Sequence, residues 1–179
     1  MTVHALVAHH RRAIGMAALL ALALAAWQAV DAAADRRVAR SPLPVGTVLG
    51  STLHAILDSA GILSGGTTPV VLLYVSDACP HCQKELARWD SLATAGALPR
   101  EGVSTVVIRL PTPGGRSPHL ARFPDATIAD PGGTIGRQLK IAVVPTAYWL
   151  DRDGRITEVT RGEQSPAAIR RRFQNLIRS

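Results

Sequence analysis

The sequence predicts an α/β fold, a central mixed sheet with flanking helices, preceded by an N-terminal apolar helix. The runs "VVLLYV" and "VSTVVIRL" are continuous, apolar and β-branched, which is typical of parallel strands buried on both faces. Further along, "TAYWL" and "ITEVT" flank the turn sequence "DRDG", which predicts an antiparallel hairpin. The order is then β, α, β, α, short β, α, β, β, α, so parallel strands come first and the hairpin follows.

Residues 1–34 carry the pattern of a secretory signal or a membrane anchor. Arg11 and Arg12 precede Ala13–Val30, a run of 18 residues without a charge, and this is the order of a basic start and an apolar core. A buried core helix is the alternative. Because positive charge favours the cytoplasmic side, the remainder is expected to be periplasmic or otherwise extracytoplasmic, either anchored through this run or secreted after cleavage. Residues 35–46, rich in Ala, Arg and Pro, are interpreted as a linker, and residues 47–179 as one domain.

Composition excludes some classes of function. The formal net charge is +7, but the late basic stretch "IRRRFQNLIRS" has no aromatic platform beside it, so no nucleic-acid partner is expected. That stretch is interpreted as a solvated helix face, with an acidic partner or lipid headgroups as the alternative. Two cysteines also cannot form the multi-bridge framework of a small secreted scaffold.

The helices are predicted from their boundaries. Ser51 is a candidate cap for a short first helix. Pro80 stands at the first position of the next helix, which Gly96 ends. A short strand "ATIA" is followed by a turn and a helix from about Thr134. Pro166 begins the last helix directly after a capping serine.

Cys79 and Cys82 are the two cysteines of the chain, and they follow the first buried strand. A disulfide across C-x-x-C closes a very short loop and constrains the unfolded chain little, which disfavours a purely structural disulfide. Redox chemistry and metal binding are the remaining interpretations of the pair. Exchange requires an exposed, stabilised thiolate, and a helix N-terminus supplies free N–H groups and positive potential. We therefore expect Cys79 to react and Cys82, one turn on, to resolve a mixed disulfide.

Two side chains near the cysteines are candidates for tuning the reaction. His81 lies between the cysteines, where an imidazole would favour the thiolate of Cys79; an exposed histidine without a role is the alternative. Glu85 lies three residues after Cys82 on the same helix face. It is a candidate general acid–base for the resolving thiol, and a solvated helix glutamate is the alternative. Asp77 and Lys84 are interpreted as surface charges.

Pro145 opens the strand "TAYWL" and is a candidate for the substrate groove. A proline in a ladder loses a hydrogen bond unless its position is special. A cis bond before it would present the backbone of Val144 to an extended client peptide, with Thr146 beside it. An ordinary edge or strand-start proline is equally compatible with the spacing.

Together, "CPHC" after "VVLLYVSDA" and "VVPTAYWLDRDGRI" downstream resemble the thioredoxin-like thiol–disulfide oxidoreductases, over about residues 45–179. The spacing between the motifs is similar to that of membrane-tethered, extracytoplasmic reductases of cytochrome c maturation. This resemblance implies Cys79 as nucleophile, Cys82 as resolving thiol, Pro145 as cis-proline and Glu85 as the glutamate of those reductases. It also implies protein thiol or disulfide clients, an electron-relay membrane protein as partner, and no cofactor.

The direction of electron flow is not decided by these residues. Pro80 and His81 form the dipeptide of strong periplasmic oxidases, whereas the wider layout is that of reductases, which usually have tryptophan where Ala78 stands. The second hypothesis for function is a non-catalytic copper or zinc module, with Cys79, Cys82 and His81 as ligands. No second Cys/His cluster completes such a site in the sequence, so no metal is expected.

Overall fold

A computed structural model describes residues 21–23, 25–26, 42–59, 61, 68–99, 102–114 and 121–178. Contacts divide the chain into two compact units, Met1–Arg40 and Ser41–Ser179. In the first unit the residues 21–23 and 25–26 are helical. The rest of the expected signal or anchor, and most of the linker, lie outside the described residues. Among the helices that are described, none combines the length and apolarity that crossing a bilayer requires.

The helix expected between the second strand and the short strand is not found among the described residues of that connection, 111–114 and 121–125, where Pro111 and Pro113 disfavour a helix. The second unit otherwise contains the predicted strands and helices. In chain order these are α1 (Ser51–Ser59), β1 (Val70–Ser76), α2 (Pro80–Thr94), β2 (Ser104–Leu110), β3 (Ala126–Ala129), α3 (Thr134–Gln138), β4 (Thr146–Leu150), β5 (Ile156–Arg161) and α4 (Pro166–Arg178). Helix α2 begins at Pro80, as the proline predicts. The predicted α/β fold with a central mixed sheet is confirmed.

The five strands form one mixed sheet in the order β3-β2-β1-β4-β5. Strands β1, β2 and β3 are parallel, and β4 runs antiparallel to both β1 and β5. The central position of β1 explains its composition, because a strand with a neighbour on each side and helices on both faces exposes almost no side chain. It also brings the end of β1 beside the start of β4, where Tyr74 pairs with Thr146.

Alternate residues of β1 enter two separate cores. Val71, Leu73 and Val75 face the core that α2 and α4 cover. The intervening residues, Val70, Leu72 and Tyr74, face the core that contains Leu57 and Leu139. A period of two therefore operates even in an unbroken apolar run, because both faces of the sheet are buried.

Aromatic side chains are few but concentrated in the first core. Trp89 of α2 lies 5.2 Å from Phe123, 5.7 Å from Trp149 and 5.5 Å from Phe173, measured between ring centroids. The rings of Trp149 and Phe173 meet edge to face at 5.3 Å, the geometry that aromatic quadrupoles favour. This cluster joins α2 to β4 and α4, so it fixes the helix that carries the cysteines against the sheet.

Candidate functional site

Cys79 occupies the N-cap position of α2. Its backbone is extended, with φ −96° and ψ 110°, and its Sγ accepts a hydrogen bond from the N–H of Cys82 at 3.2 Å. The first N–H groups of a helix have no partner within the helix. A sulfur placed there therefore receives both a hydrogen bond and the positive end of the helix dipole.

The two thiols differ in their exposure. Cys79 is partly exposed, whereas Cys82 is fully buried, and both are free. Burial, followed by the hydrogen bond with Cys79, raises the pKa of the Cys82 thiol to about 12. Cys79 is thus the more accessible of the two sulfurs, and burial favours the protonated form of Cys82.

The segment before β4 lies against Cys79. The Val144–Pro145 peptide bond is cis, which is one of the alternatives that the sequence left open. The Cys79 Sγ lies 3.8 Å from the carbonyl oxygen of Val144. Thr146, expected beside the groove, is buried, and its Oγ1 donates to the carbonyl of Val143 at 2.7 Å. Its side chain therefore closes the turn before β4.

An apolar recess opens beside this segment. It has a volume of about 300 Å³, and its lining includes Leu110, Ile141, Val143, Val144 and Arg137. Val143 is 48% exposed, so an apolar side chain stands at the surface next to the residue that contacts Cys79.

His81 is exposed, with 68% of its side chain accessible, and it is held by a residue far along the chain. Its Nδ1 lies 2.6 Å from Oε1 of Glu163, in the loop after β5. The sequence predicts that His81 approaches the Cys79 sulfur. Within the described residues, however, the Cys79 sulfur accepts a hydrogen bond from the N–H of Cys82 and donates one to the carbonyl oxygen of Val144.

Glu85 lies inside the protein, with 1% of its surface exposed, so the solvated alternative is wrong. Its Oε1 accepts a hydrogen bond from Trp89 Nε1 at 2.8 Å. Its Oε2 accepts from Arg88 Nη1 at 2.5 Å and from the N–H of Gln164 at 3.0 Å. Three donors thus compensate the burial of the carboxylate and join α2 to the loop that contains Glu163.

Asp77 is also buried, at 8% exposure, so its interpretation as a surface charge is wrong. Arg109 of β2 donates to both carboxylate oxygens, from Nε at 3.1 Å and from Nη2 at 2.7 Å. The N–H of Asp77 bonds the carbonyl of Leu110, and its carbonyl accepts from Gln83. These contacts fix the turn that leads from β1 to Cys79.

Sequence reasoning missed Glu163, Arg88 and Arg109 as parts of the site. Glu163 follows Cys82 by 81 positions, in "RGEQSP", and no local pattern predicts its approach to α2. The signal that was available is a glycine before it: Gly162 has φ +72°, a conformation that glycine adopts without penalty and that redirects the chain. In the described part of the chain, no group of three or more His, Cys, Asp or Glu side chains is arranged to hold a metal.

The strand order, the helix-capping cysteine and the cis-proline opposite it define a thioredoxin-like fold, and that prediction is confirmed. A similar structure is the pneumococcal exposed lipoprotein thioredoxin Etrx1 of Streptococcus pneumoniae, with 18% identity and a TM-score of 0.52; the match covers 63% of this chain and 88% of Etrx1. StoA of Bacillus subtilis matches with 21% identity, a TM-score of 0.48, and 59% and 81% coverage. No protein-family model and no curated protein sequence matches the chain.

Proposed function

We propose that the protein is an extracytoplasmic thiol–disulfide oxidoreductase that exchanges disulfides with protein clients through Cys79 and Cys82. The observation that carries this proposal is the asymmetry of the pair: a partly exposed Cys79 at the N-cap of α2 and a buried Cys82 whose N–H bonds the Cys79 sulfur. One sulfur is partly exposed and accepts a hydrogen bond from the first turn of the helix, and the other is buried beneath it.

In the reducing direction, the Cys79 thiolate attacks one sulfur of a client disulfide. A Cys79–client disulfide forms, and the other client sulfur leaves as a thiolate and takes up a proton. Cys82 then loses its proton and attacks the Cys79 sulfur, which releases the second client thiolate and leaves the Cys79–Cys82 disulfide. Two electrons pass from the pair to the client, and the oxidising direction is the reverse of the same steps.

Cys82 requires a proton acceptor in the second step, because burial holds its pKa at about 12. Glu85 as that general base stays a prediction. Its carboxylate accepts three hydrogen bonds, and no described contact joins it to the Cys82 sulfur. The contacts themselves support a positioning role, in which Glu85 holds α2 against the loop after β5.

The client is proposed to bind as an extended segment along Val144 and Pro145. The Val144 carbonyl is directed at the Cys79 sulfur, so a client strand paired with this segment would bring its own sulfur to the same place. The apolar recess at Val143 would take a neighbouring side chain. Pro80, His81 and Thr146 complete the proposed site as tuning and turn-forming residues.

The location and pathway are proposed on separate grounds. Arg11 and Arg12 before the uncharged run Ala13–Val30 support export, with the run either retained as a tether or removed. The similar Etrx1 is described as an exposed lipoprotein thioredoxin, which is consistent with this. A role in cytochrome c maturation, with a membrane protein that relays electrons, is proposed from the spacing of the motifs. The first client to assay is therefore a peptide with a C-x-x-C-H disulfide, the haem-attachment sequence of c-type cytochromes.

The proposal is tested with the exported domain and two cysteine variants. Wild type is expected to reduce insulin, or to oxidise a reduced client, in a glutathione buffer. Cys79→Ser is expected to abolish the activity, while Cys82→Ser is expected to accumulate a mixed disulfide with the client, detected by mass. Full activity of the Cys79→Ser variant would contradict the proposal.

A further inference from the structure

Glu163 lies 81 positions after Cys82, yet its carboxylate contacts the centre of the C-P-H-C sequence. Oε1 lies 2.6 Å from His81 Nδ1. A carboxylate accepts hydrogen bonds, so Nδ1 is the nitrogen that bears the hydrogen. This is the one hydrogen bond of the imidazole within the described residues. The orientation of His81 is therefore set by a side chain of another element.

Glu163 is itself held from two sides. Its Oε2 accepts a hydrogen bond from Arg88 Nη2 at 3.1 Å, and the bond from His81, then that from Arg88, lowers the pKa of its carboxyl group. The adjacent Gly162 donates its N–H to the carbonyl of Pro145 at 2.8 Å. The loop after β5 is thus hydrogen-bonded to both Pro145 and α2. These contacts fix the position of the Glu163 carboxylate.

The Cys79 sulfur shows the consequence of this restraint. Its described hydrogen bonds are with the N–H of Cys82 at 3.2 Å and the carbonyl of Val144 at 3.8 Å. The imidazole two residues away makes none with it. Its described contact is with Glu163 instead.

We propose that Glu163 is a positioning residue for the redox pair: it holds His81 through Nδ1, keeps the imidazole off the Cys79 sulfur, and makes the Cys79–Cys82 disulfide less oxidising than it would be with His81 free. This inference rests on the proposed exchange function, and it concerns the reduction potential of the same pair. The histidine of the C-P-H-C sequence is restrained by a glutamate from a distant loop.

The direction of the effect follows from the balance of the half-reaction. Reduction breaks the Cys79–Cys82 S–S bond, takes up two electrons and, with each sulfur counted as a thiol, two protons; two glutathione thiols are oxidised to one disulfide in return. A contact that stabilises the Cys79 thiolate favours the reduced pair and raises the potential. Glu163 withdraws one such contact and adds a negative charge nearby. Both effects favour the disulfide.

The test is the equilibrium constant of the full-length protein with glutathione, measured at one pH and one ionic strength. Glu163→Gln is expected to shift it at least about threefold toward the dithiol, where a tenfold shift corresponds to about 30 mV. In the His81→Asn background the same substitution is expected to give less than half of that shift on a logarithmic scale, because an exposed charge alone is screened by salt.

Glu158→Gln is the matched control. Glu158 is a β5 glutamate paired with Arg172 at 2.6 Å, and its loss is expected to leave the equilibrium unchanged. A shift below threefold for Glu163→Gln, a shift toward the disulfide, or an equal shift without His81 would overturn the role of Glu163 and leave the exchange function standing. A wild-type pair that does not equilibrate with glutathione at all would overturn both.

Discussion

Asp77 and Arg109 form a bidentate ion pair at the turn that leads from β1 to Cys79. The pair links the end of β1 to β2, with contacts of 3.1 and 2.7 Å, and Asp77 is buried while Arg109 retains some exposure. Planar, bidentate contacts of this kind hold geometry as well as charge. The position of Cys79 therefore depends on a strand that contributes no reactive group.

Replacing the arginine is expected to destabilise the protein. Arg109→Met leaves the Asp77 carboxylate buried without its partner, which costs about 2 kcal/mol of unfolding free energy, less than for a fully buried pair because Arg109 is partly exposed. Denaturant unfolding of the reduced protein measures this. Asp77→Asn in the same chain is expected to restore part of the loss, since no unpaired charge remains. Additive losses in the double variant would contradict the pairing.

The stability of the reduced protein is expected to fall at high pH because of Cys82. An unfolded cysteine loses its proton near pH 8.5, whereas the folded Cys82 keeps it to about pH 12. Between these values the unfolded state binds fewer protons, so the unfolding free energy decreases as the pH rises, by up to about 1.4 kcal/mol per pH unit. Below about pH 8.5 the Cys82 thiol is protonated in both states, so its contribution to the unfolding free energy is fully present there.

Cys82→Ala isolates that contribution. Unfolding of the reduced wild type and of the variant is compared from about pH 8 to 11, in the range that the linkage defines. The wild-type curve is expected to fall more steeply. Parallel curves would show that burial does not keep the Cys82 thiol protonated at these pH values.

Gly136 is expected to be intolerant of alanine. A Cβ there would lie 2.5 Å from the Tyr74 hydroxyl oxygen and 2.8 Å from its ring. That hydroxyl donates to Asp130 at 2.9 Å, and the N–H of Gly136 donates to the same carboxylate. Gly136→Ala is expected to lower the unfolding free energy by about 1–3 kcal/mol, as overpacking does.

Gly132→Ala serves as the comparison for this prediction. A Cβ at Gly132 meets Thr134 Oγ1 at an ordinary 3.6 Å, so little change in the thermal midpoint is expected. Combining Gly136→Ala with Tyr74→Phe is expected to cost less than the sum of the two single substitutions, because the closest clash is with the hydroxyl. If the losses of unfolding free energy in the double variant were fully additive, the clash at Gly136 would not involve the Tyr74 hydroxyl.

Glu85→Gln is expected to affect both stability and exchange. The amide keeps an acceptor for Trp89 but removes the charge beside Arg88, so a loss of about 1–3 kcal/mol is expected. If Glu85 accepts the Cys82 proton, resolution of the mixed disulfide also becomes slower and loses a titration in its pH profile. Single-turnover release of a labelled client measures this step. An unchanged profile with reduced stability would limit Glu85 to positioning.

Much of the fold follows from patterns within single elements. The buried strand β1, the proline that begins α2 and the hairpin around "DRDG" each have a local signature, and the structure confirms all three. Cys79 at the N-cap follows from the same reasoning, because a strand that ends before C-P-x-C leaves the first cysteine at the helix start.

The partners of the site residues are distant in sequence, so local patterns do not predict them. Arg109 meets Asp77 across 32 positions and Glu163 meets His81 across 82. Asp77 follows the strand in a charged stretch, so the sequence indicates a surface charge, and only the strand order shows that Arg109 lies beside it. The burial of Glu85 likewise depends on the loop after β5, whose direction only a tertiary structure shows.

The hairpin between β4 and β5 also determines how the domain can be attached to a surface. Thr146 begins β4 at the level of the cysteines, and Leu150 ends it roughly 13 Å lower. At that lower end the segment that leads into the domain is bound, with Val48 bridging Arg155 and Gly46 donating to Ile156. Before it, the N–H of Leu43 donates to the Tyr148 hydroxyl at 3.3 Å, so the entering segment is fixed to the sheet at two places. A support coupled at Val48, which is 48% exposed, would therefore stand about the length of β4 away from the Cys79 sulfur.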